Sequence, residues 1–230
     1  MSSKPHTDSV YTPKRKPKTP IHFQLTLNEE QKAAKAKILD STITVLTGGA
    51  GSGKTLLACQ IALDQLFNKE IEKIIIARPV ITSGEELGFL PGDIKEKMDP
   101  FMAPIYENMH RLYSKEKIEK YVADGFIEII PFAFMRGRNI TNAFVIIDEA
   151  QNVTDKQMEL VITRLCIGSK MIIVGDVQQT DLKERKMSGL YFLNKAIAGH
   201  VPGTAAVHLK TNHRHEIVEP ILNIYKELNS

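Results

Sequence analysis

Between residues 48 and 55 the chain reads Gly48-Gly49-Ala50-Gly51-Ser52-Gly53-Lys54-Thr55, a glycine-rich run closed by a lysine and a hydroxyl. Four glycines let a backbone curl until several N–H groups point inward at one anion, and a helix starting there adds the positive end of its dipole. Lys54 is expected to reach the β and γ phosphates of a nucleoside triphosphate, and Thr55 to ligate Mg²⁺. The run is read as a phosphate-binding loop for ATP with Mg²⁺, in which Gly48, Gly49, Ala50, Gly51, Ser52 and Gly53 form the cradle. A glycine-rich turn without a ligand is the plain alternative.

Cleaving a bound triphosphate needs further groups. Val145-Ile146-Ile147-Asp148-Glu149 is an apolar run ending in two acids. In open parallel sheets ligands sit at the carboxyl ends of the strands, so Asp148 is expected to hold Mg²⁺ beside Thr55. Glu149 is then placed to orient and deprotonate the attacking water. Adjacent acids favour hydrolysis over transfer to an acceptor hydroxyl, as a kinase would perform; without the phosphate loop they would read as structural. Further on, Gly175-Asp176-Val177-Gln178-Gln179-Thr180 places an amide just past another strand. Gln178, ahead of Gln179, is the candidate to hydrogen-bond the γ-phosphate or the water, and capping the next turn is its alternative role. An additional positive charge on the γ-phosphate is worth about 10³–10⁵ in rate when an arginine finger supplies it. Arg136, Arg138 and Arg214 are candidates because arginine stays charged and is a planar multi-donor, although most surface arginines are only solvated. His213 and His215 flank Arg214, but no third ligand is spaced with them for a metal.

These groups need strands and helices to hold them. Ile43 to Thr47 is a β-branched apolar run and Leu56 to Phe67 has apolar residues at helical spacing, so the loop joins a strand to a helix. Asn28 is an expected helix N-cap with Gln31 at the third helical position, and that helix runs to about Leu39. Strands are expected at Lys73–Ala77, Phe126–Ile130, Ala143–Ile147, Lys170–Val174 and Ala205–Leu209, with a short strand or extended packing segment at Ile21–Leu25. Helices are expected at Ile94–Leu112, broken or kinked at Pro100 and Pro104, and at Lys115–Val122. Others are expected from Asp155 to about Cys166, at Gly189–Ala198 and at Glu216–Leu228. Alternating strands and helices imply a parallel sheet with helical crossovers. The long segment from Arg78 to Asp93 is of a length that marks functional or disordered loops.

The 230 residues suffice for one sizeable core and not for two nucleotide-binding domains. No apolar run approaches a bilayer span, the basic N-terminus lacks the apolar stretch of a secretory signal, and a cytoplasmic protein is expected. Cys59 and Cys166 have no metal spacing and are expected to be buried and reduced. The net charge is +3, but residues 1–20 carry five basic side chains against Asp8, which leaves the remainder at −1. Residues 1–20, with Pro5, Pro13, Pro17 and Pro20, read as a disordered basic tail that contacts phosphate backbones or serves as a solvated leader, and residues 21–230 as one ATPase domain.

In order, Leu27-Asn28-Glu29-Glu30-Gln31, GGAGSGKT, Asp148-Glu149-Ala150-Gln151, Gly175-Asp176-Val177-Gln178-Gln179 and Asn212-His213-Arg214 resemble the motifs of the first domain of superfamily-one helicases. That likeness implies that Gln31 reads the adenine edge and that Arg214 touches the nucleotide phosphates. A fuller resemblance is to the PhoH family of P-loop ATPases, carried by Ala77-Arg78-Pro79, Gly84-Glu85-Glu86-Leu87-Gly88-Phe89-Leu90-Pro91-Gly92-Asp93, Lys97-Met98-Asp99-Pro100 and Phe134-Met135-Arg136-Gly137-Arg138. It covers about residues 21–228. It implies a RecA-like P-loop NTPase fold, an α/β single domain with a parallel central sheet flanked by helices. It further implies a ring, expected to be a homohexamer, in which a neighbour's arginine completes each ATP site, favouring Arg136 or Arg138, and an association with RNA or single-stranded DNA. Leu87, Phe89 and Leu90 would line a pore, where Phe89 stacks on bases, or form the subunit interface. A nucleotide-switched binding module with slow hydrolysis is the first alternative, and a P-loop kinase the second.

Overall fold

A computed structural model describes residues 23–80, 94–182, 187–196 and 200–228. The basic tail and most of the segment after Arg78, with Leu87, Phe89 and Leu90, lie outside the described residues. Among the described residues six strands form one sheet: β1 (Ile43–Gly48), β2 (Lys73–Arg78), β3 (Ile127–Pro131), β4 (Ala143–Ile147), β5 (Lys170–Gly175) and β6 (Thr204–Leu209). All pairings are parallel, in the order β3-β2-β4-β5-β1-β6. The α-helices among the described residues are α1 (Glu29–Asp40), α2 (Lys54–Phe67), α3 (Ile94–Leu112), α4 (Lys115–Ala123), α5 (Asp155–Ile162), α6 (Gly189–Ala196) and α7 (Val218–Leu228). Among the described residues no helix is long and apolar enough to cross a membrane.

The central strands read as near-continuous apolar runs because both of their faces are covered. Alternation still decides which face each side chain serves. Leu46, Ile74, Ile76, Phe144, Ile146, Ile172 and Val174 pack with residues of α1 to α4 in one core, and Val45, Ile75, Val145, Ile147, Met171 and Ile173 pack with α5 and α6 in the other. Phe144 is fully buried in the middle strand of the first core. Phe144→Ala is expected to destabilise the domain by about 3–5 kcal/mol, read by denaturant unfolding, because the emptied site is walled by strands that cannot collapse into it.

Where local signals are strong the elements fall as expected. Asn28 and Gln31 make a reciprocal capping box, the Gln31 N–H donating to Asn28 Oδ1 at 2.8 Å and the Asn28 N–H to Gln31 Oε1 at 3.1 Å. Three differences are informative. Helix α3 runs unbroken through Pro100 and Pro104. Helix α5 ends at Ile162 instead of near Cys166, because Leu165 is diverted to bridge Ile140 and Gly168 turns the chain with a positive φ of 75°. That leaves Cys166 half-buried where Cys59 is buried, and both are free thiols. Residues 23–25 form no strand; Phe23 and Leu25 pack against the first core as an extended segment, held by the Gln24 N–H on Leu112 O at 3.1 Å and Gln60 Nε2 on Leu25 O at 3.2 Å.

Candidate functional site

Because all six strands point the same way, the ends of β1, β4 and β5 converge on one rim. The loop from Gly48 to Thr55 leaves β1 there and starts α2, with Gly53 at the N-cap in a left-handed conformation of φ 81°. Gly51, at φ 84°, also needs the freedom of glycine, and a Cβ there would sit 2.6 Å from Arg214 Cγ. Lys54 Nζ donates to Gly48 O at 2.8 Å and Gly49 O at 2.9 Å, leaving one of its three donors. Burial holds this ammonium below the usual lysine range, against the pull of the Asp176, Glu149 and Asp148 carboxylates. Ser52 Oγ is buried without a hydrogen-bond partner. A loop with inward glycines, an orphan hydroxyl and a partly desolvated cation fits a phosphate chain.

Asp148 arrives two strands away from the loop and meets it. Thr55 Oγ1 donates to Asp148 Oδ1 at 2.7 Å across 93 residues of sequence. Burial raises the Asp148 carboxyl above its ordinary range, the neighbouring Glu149 charge adds to this, and Thr55 and Arg78 oppose it. A hydroxyl beside a buried carboxylate is a hard-oxygen pair of the kind Mg²⁺ takes when phosphates and water supply its other ligands. Among the described residues no cluster of three or more His, Cys, Asp or Glu could hold a metal by itself.

Glu149 adopts a left-handed backbone, φ 51°, which is uncommon for a residue with a Cβ. Its carboxylate accepts from Gln151 Nε2 at 2.5 Å and stands 3.5 Å from Arg78 Nη2; Arg78 Nη1 is 3.8 Å from Asp148 Oδ2. Gln151 is buried, and its Oε1 accepts from the Asp176 N–H at 3.2 Å. Arg78 is brought beside the acids because β2 and β4 pair with Ala77 opposite Ile147.

A cleft of about 690 Å³ joins these parts; Gln31, Lys54, Thr55, Asp148, Glu149, Asp176, Gln179 and Arg214 line it. Gln31 Nε2 would lie 3.2 Å from a Cβ on Gly53. Arg214 is set over the loop by the His213 N–H on Gly51 O at 3.1 Å and by Glu30, which accepts from the Lys210 N–H at 2.7 Å and the Thr211 N–H at 3.1 Å. Asn108 and Arg111 of α3 add to the same wall.

Other expected residues lie elsewhere. Gln178 lines a second cleft of about 560 Å³ on the far side of Glu149, while Gln179 reaches both clefts. Arg136 is exposed after a short 3-10 turn. Arg138 ion-pairs with Glu128 at 2.6 Å, and Glu128 also holds Lys73, so this cluster marks the start of β2 and β3, the opposite end of the sheet from the cleft at the Gly48–Thr55 loop. The sequence alone assigns no role to Arg78, Gln151 or Asp176. Their signal was present only as neighbours of motifs, in Ala77-Arg78-Pro79, the fourth residue of Asp148-Glu149-Ala150-Gln151, and the residue after Gly175.

Known proteins resemble this chain in fold or in sequence. The large terminase of a thermophilic bacteriophage superposes with a TM-score of 0.50 at 10% identity, over 86% of this chain and 50% of that one, which is a likeness of fold. A PhoH-like protein of Synechocystis is 45% identical over 186 residues, 80% of this chain and 56% of the relative. One of Bacillus subtilis is 42% identical over 206 residues, 89% of this chain and 64% of the relative. The chain thus spans about half to two-thirds of the length of the curated relatives it matches. The family model described as PhoH-like protein matches residues 25–226. With a glycine-rich loop between β1 and α2 on an all-parallel sheet, the domain has the RecA-like fold of P-loop NTPases, and the chain belongs to the PhoH-like protein family.

Proposed function

We propose that the chain is a Mg²⁺-dependent ATPase that releases ADP and phosphate, works as a homohexameric ring in the cytoplasm, and couples hydrolysis to RNA or single-stranded DNA. The observation that carries the hydrolytic reading is the 2.7 Å contact between Thr55 and Asp148, which puts the loop and the two acids in one cleft. The Mg²⁺ held by Thr55 and Asp148 would neutralise charge developing on the phosphates. Lys54 and the loop N–H groups orient the triphosphate, Arg214 adds charge from the same subunit, and Gln31 meets the base. Glu149 orients a water in line with the γ-phosphate and takes its proton. Gln179, which lines both clefts, faces the γ-phosphate side of the site ahead of Gln178, which lines only the second.

The position of Arg138, at the opposite end of the sheet from its own nucleotide cleft, supports action on a neighbouring copy, and exposed Arg136 has the same freedom. Mixing Arg138→Ala subunits with Lys54→Ala subunits is expected to restore part of the activity that each lacks alone, because a mixed ring contains sites with both an intact loop and an intact finger. No recovery in mixed rings verified by mass removes Arg138 from the role. The wider reading is tested by steady-state ATPase assays with poly(U), with oligo(dT) and without polymer, over a range of protein concentrations. Stimulation by polymer and specific activity that falls on dilution are expected. Turnover insensitive to both would leave a nucleotide-switched binding module as the better description.

A further inference from the structure

Glu149 forms the wall between the nucleotide cleft and the second cleft, and two residues hold it from the second side. Arg78 closes on one carboxylate oxygen and Gln151 on the other. We propose that Arg78 and Gln151 are positioning residues that together clamp the Glu149 carboxylate in its hydrolytic orientation. The proposal rests on the reading of Glu149 as the base.

The need for a clamp follows from local geometry. The Glu149 side chain is 40% exposed, so packing alone does not choose its rotamer, and its left-handed backbone aims it away from the course an ordinary strand end would take. A carboxylate has about four lone-pair positions. One contact to each oxygen fixes the plane of the group and leaves lone pairs to accept a water proton. The clamp is itself anchored. Arg78 ends β2, and its Nη1 faces Asp148 while its Nη2 faces Glu149, so one planar guanidinium spaces the two acids. The amide of Gln151 cannot turn over, because Oε1 takes the Asp176 N–H and Thr180 Oγ1 holds the Gln151 backbone carbonyl at 3.0 Å. Gly175 makes room for this: a Cβ there would lie 2.4 Å from Gln151 Oε1. The ends of β2, β4 and β5 are thereby tied through one carboxylate, so a displacement of the Asp176–Thr180 segment moves Glu149.

The test compares Arg78→Met, Arg78→Lys, Gln151→Met and Gln151→Glu in the full chain, alone and in the Glu149→Gln background, with melting curves and fluorescent-nucleotide affinity alongside kinetics. Each Met variant is expected to lose about 10–100-fold in kcat, the scale of a reacting group displaced by about an ångström, while KM for ATP stays within about threefold. Arg78→Lys keeps the charge without the two-pronged reach and recovers part of the loss. Gln151→Glu keeps the acceptor for Asp176 but cannot donate to Glu149, and stays low. In the Glu149→Gln background neither Met variant lowers single-turnover hydrolysis further, since both act through the side chain already replaced. The clamp is overturned if Gln151→Glu and Arg78→Lys run at wild-type kcat, if KM rises in step with the loss of kcat, or if the losses multiply in the Glu149→Gln background. Normal turnover in Glu149→Gln itself sinks the hydrolytic reading and the clamp with it. A dead Glu149→Gln beside fully active Arg78 and Gln151 variants sinks only the clamp.

Discussion

Glu149→Gln is expected to bind ATP with wild-type affinity and to lose about 10²–10⁴-fold in turnover, the contribution typical of a positioned general base. The substitution keeps the size of the side chain, and its remaining carbonyl can still accept from Gln151. What goes is the capacity to take a proton. Because Lys54, Thr55 and the loop are untouched, nucleotide affinity by calorimetry should stay within about threefold, so the loss falls on kcat and not on KM. A variant that turns over normally would mean that the water is activated elsewhere, and Asp176, which lines the same cleft, would be the next residue to replace.

Lys54→Ala is expected to act one step earlier and abolish tight ATP binding. The ammonium sits in the loop with two of its donors on loop carbonyls, inside a cleft that also holds Asp148, Glu149 and Asp176. Removing it deletes a cation from a neighbourhood of three carboxylates that must accommodate a polyanion. Hydrogen bonds to charged groups are worth about 1.5–3 kcal/mol each, so losing contacts to two phosphates should weaken binding by about 10²-fold or more. Calorimetry with a non-hydrolysable ATP analogue and Mg²⁺ reads this directly. Unchanged affinity would remove the phosphate-loop assignment. The two substitutions separate binding from chemistry: one should bind without cleaving, the other should do neither.

The places of the Gly48–Thr55 loop and of the two acids were legible in sequence because each is a short local pattern with a fixed position at a strand end. Gly48 to Thr55 needs a strand before it and a helix after it, and β1 and α2 supply both. The apolar run into Asp148 and Glu149 fits a strand at the centre of a sheet, buried on both faces, and β4 is one. Arg78 and Gln151 were opaque for a different reason. Whether an arginine at the end of one strand meets an acid at the end of another depends on which strands are neighbours and in what register, and nothing in a run of six residues states that β2 lies beside β4 with Ala77 opposite Ile147. The end of α5 was missed similarly, since a long-range bridge from Leu165 to Ile140 stops a helix whose own residues would have continued it. Local propensity alone makes Pro100 and Pro104 helix breakers, and Met102, Ile105, Met109 and Leu112, buried against the core, outweigh that cost.

The order of the strands also has a temporal side. The strand that carries the phosphate loop ends at Gly48, yet its two neighbours are β5 and β6, and the second of these is complete only at Leu209. On a ribosome adding about 5–20 residues per second, β1 therefore waits on the order of ten to thirty seconds for its last partner. Through that interval an apolar strand keeps at least one edge without its native partner, and the most sequence-local motif in the chain depends on its most distant pairings. Slow codons or chaperone capture between residues 48 and 209 should consequently change the yield of nucleotide-binding protein far more than equal delays placed after β6.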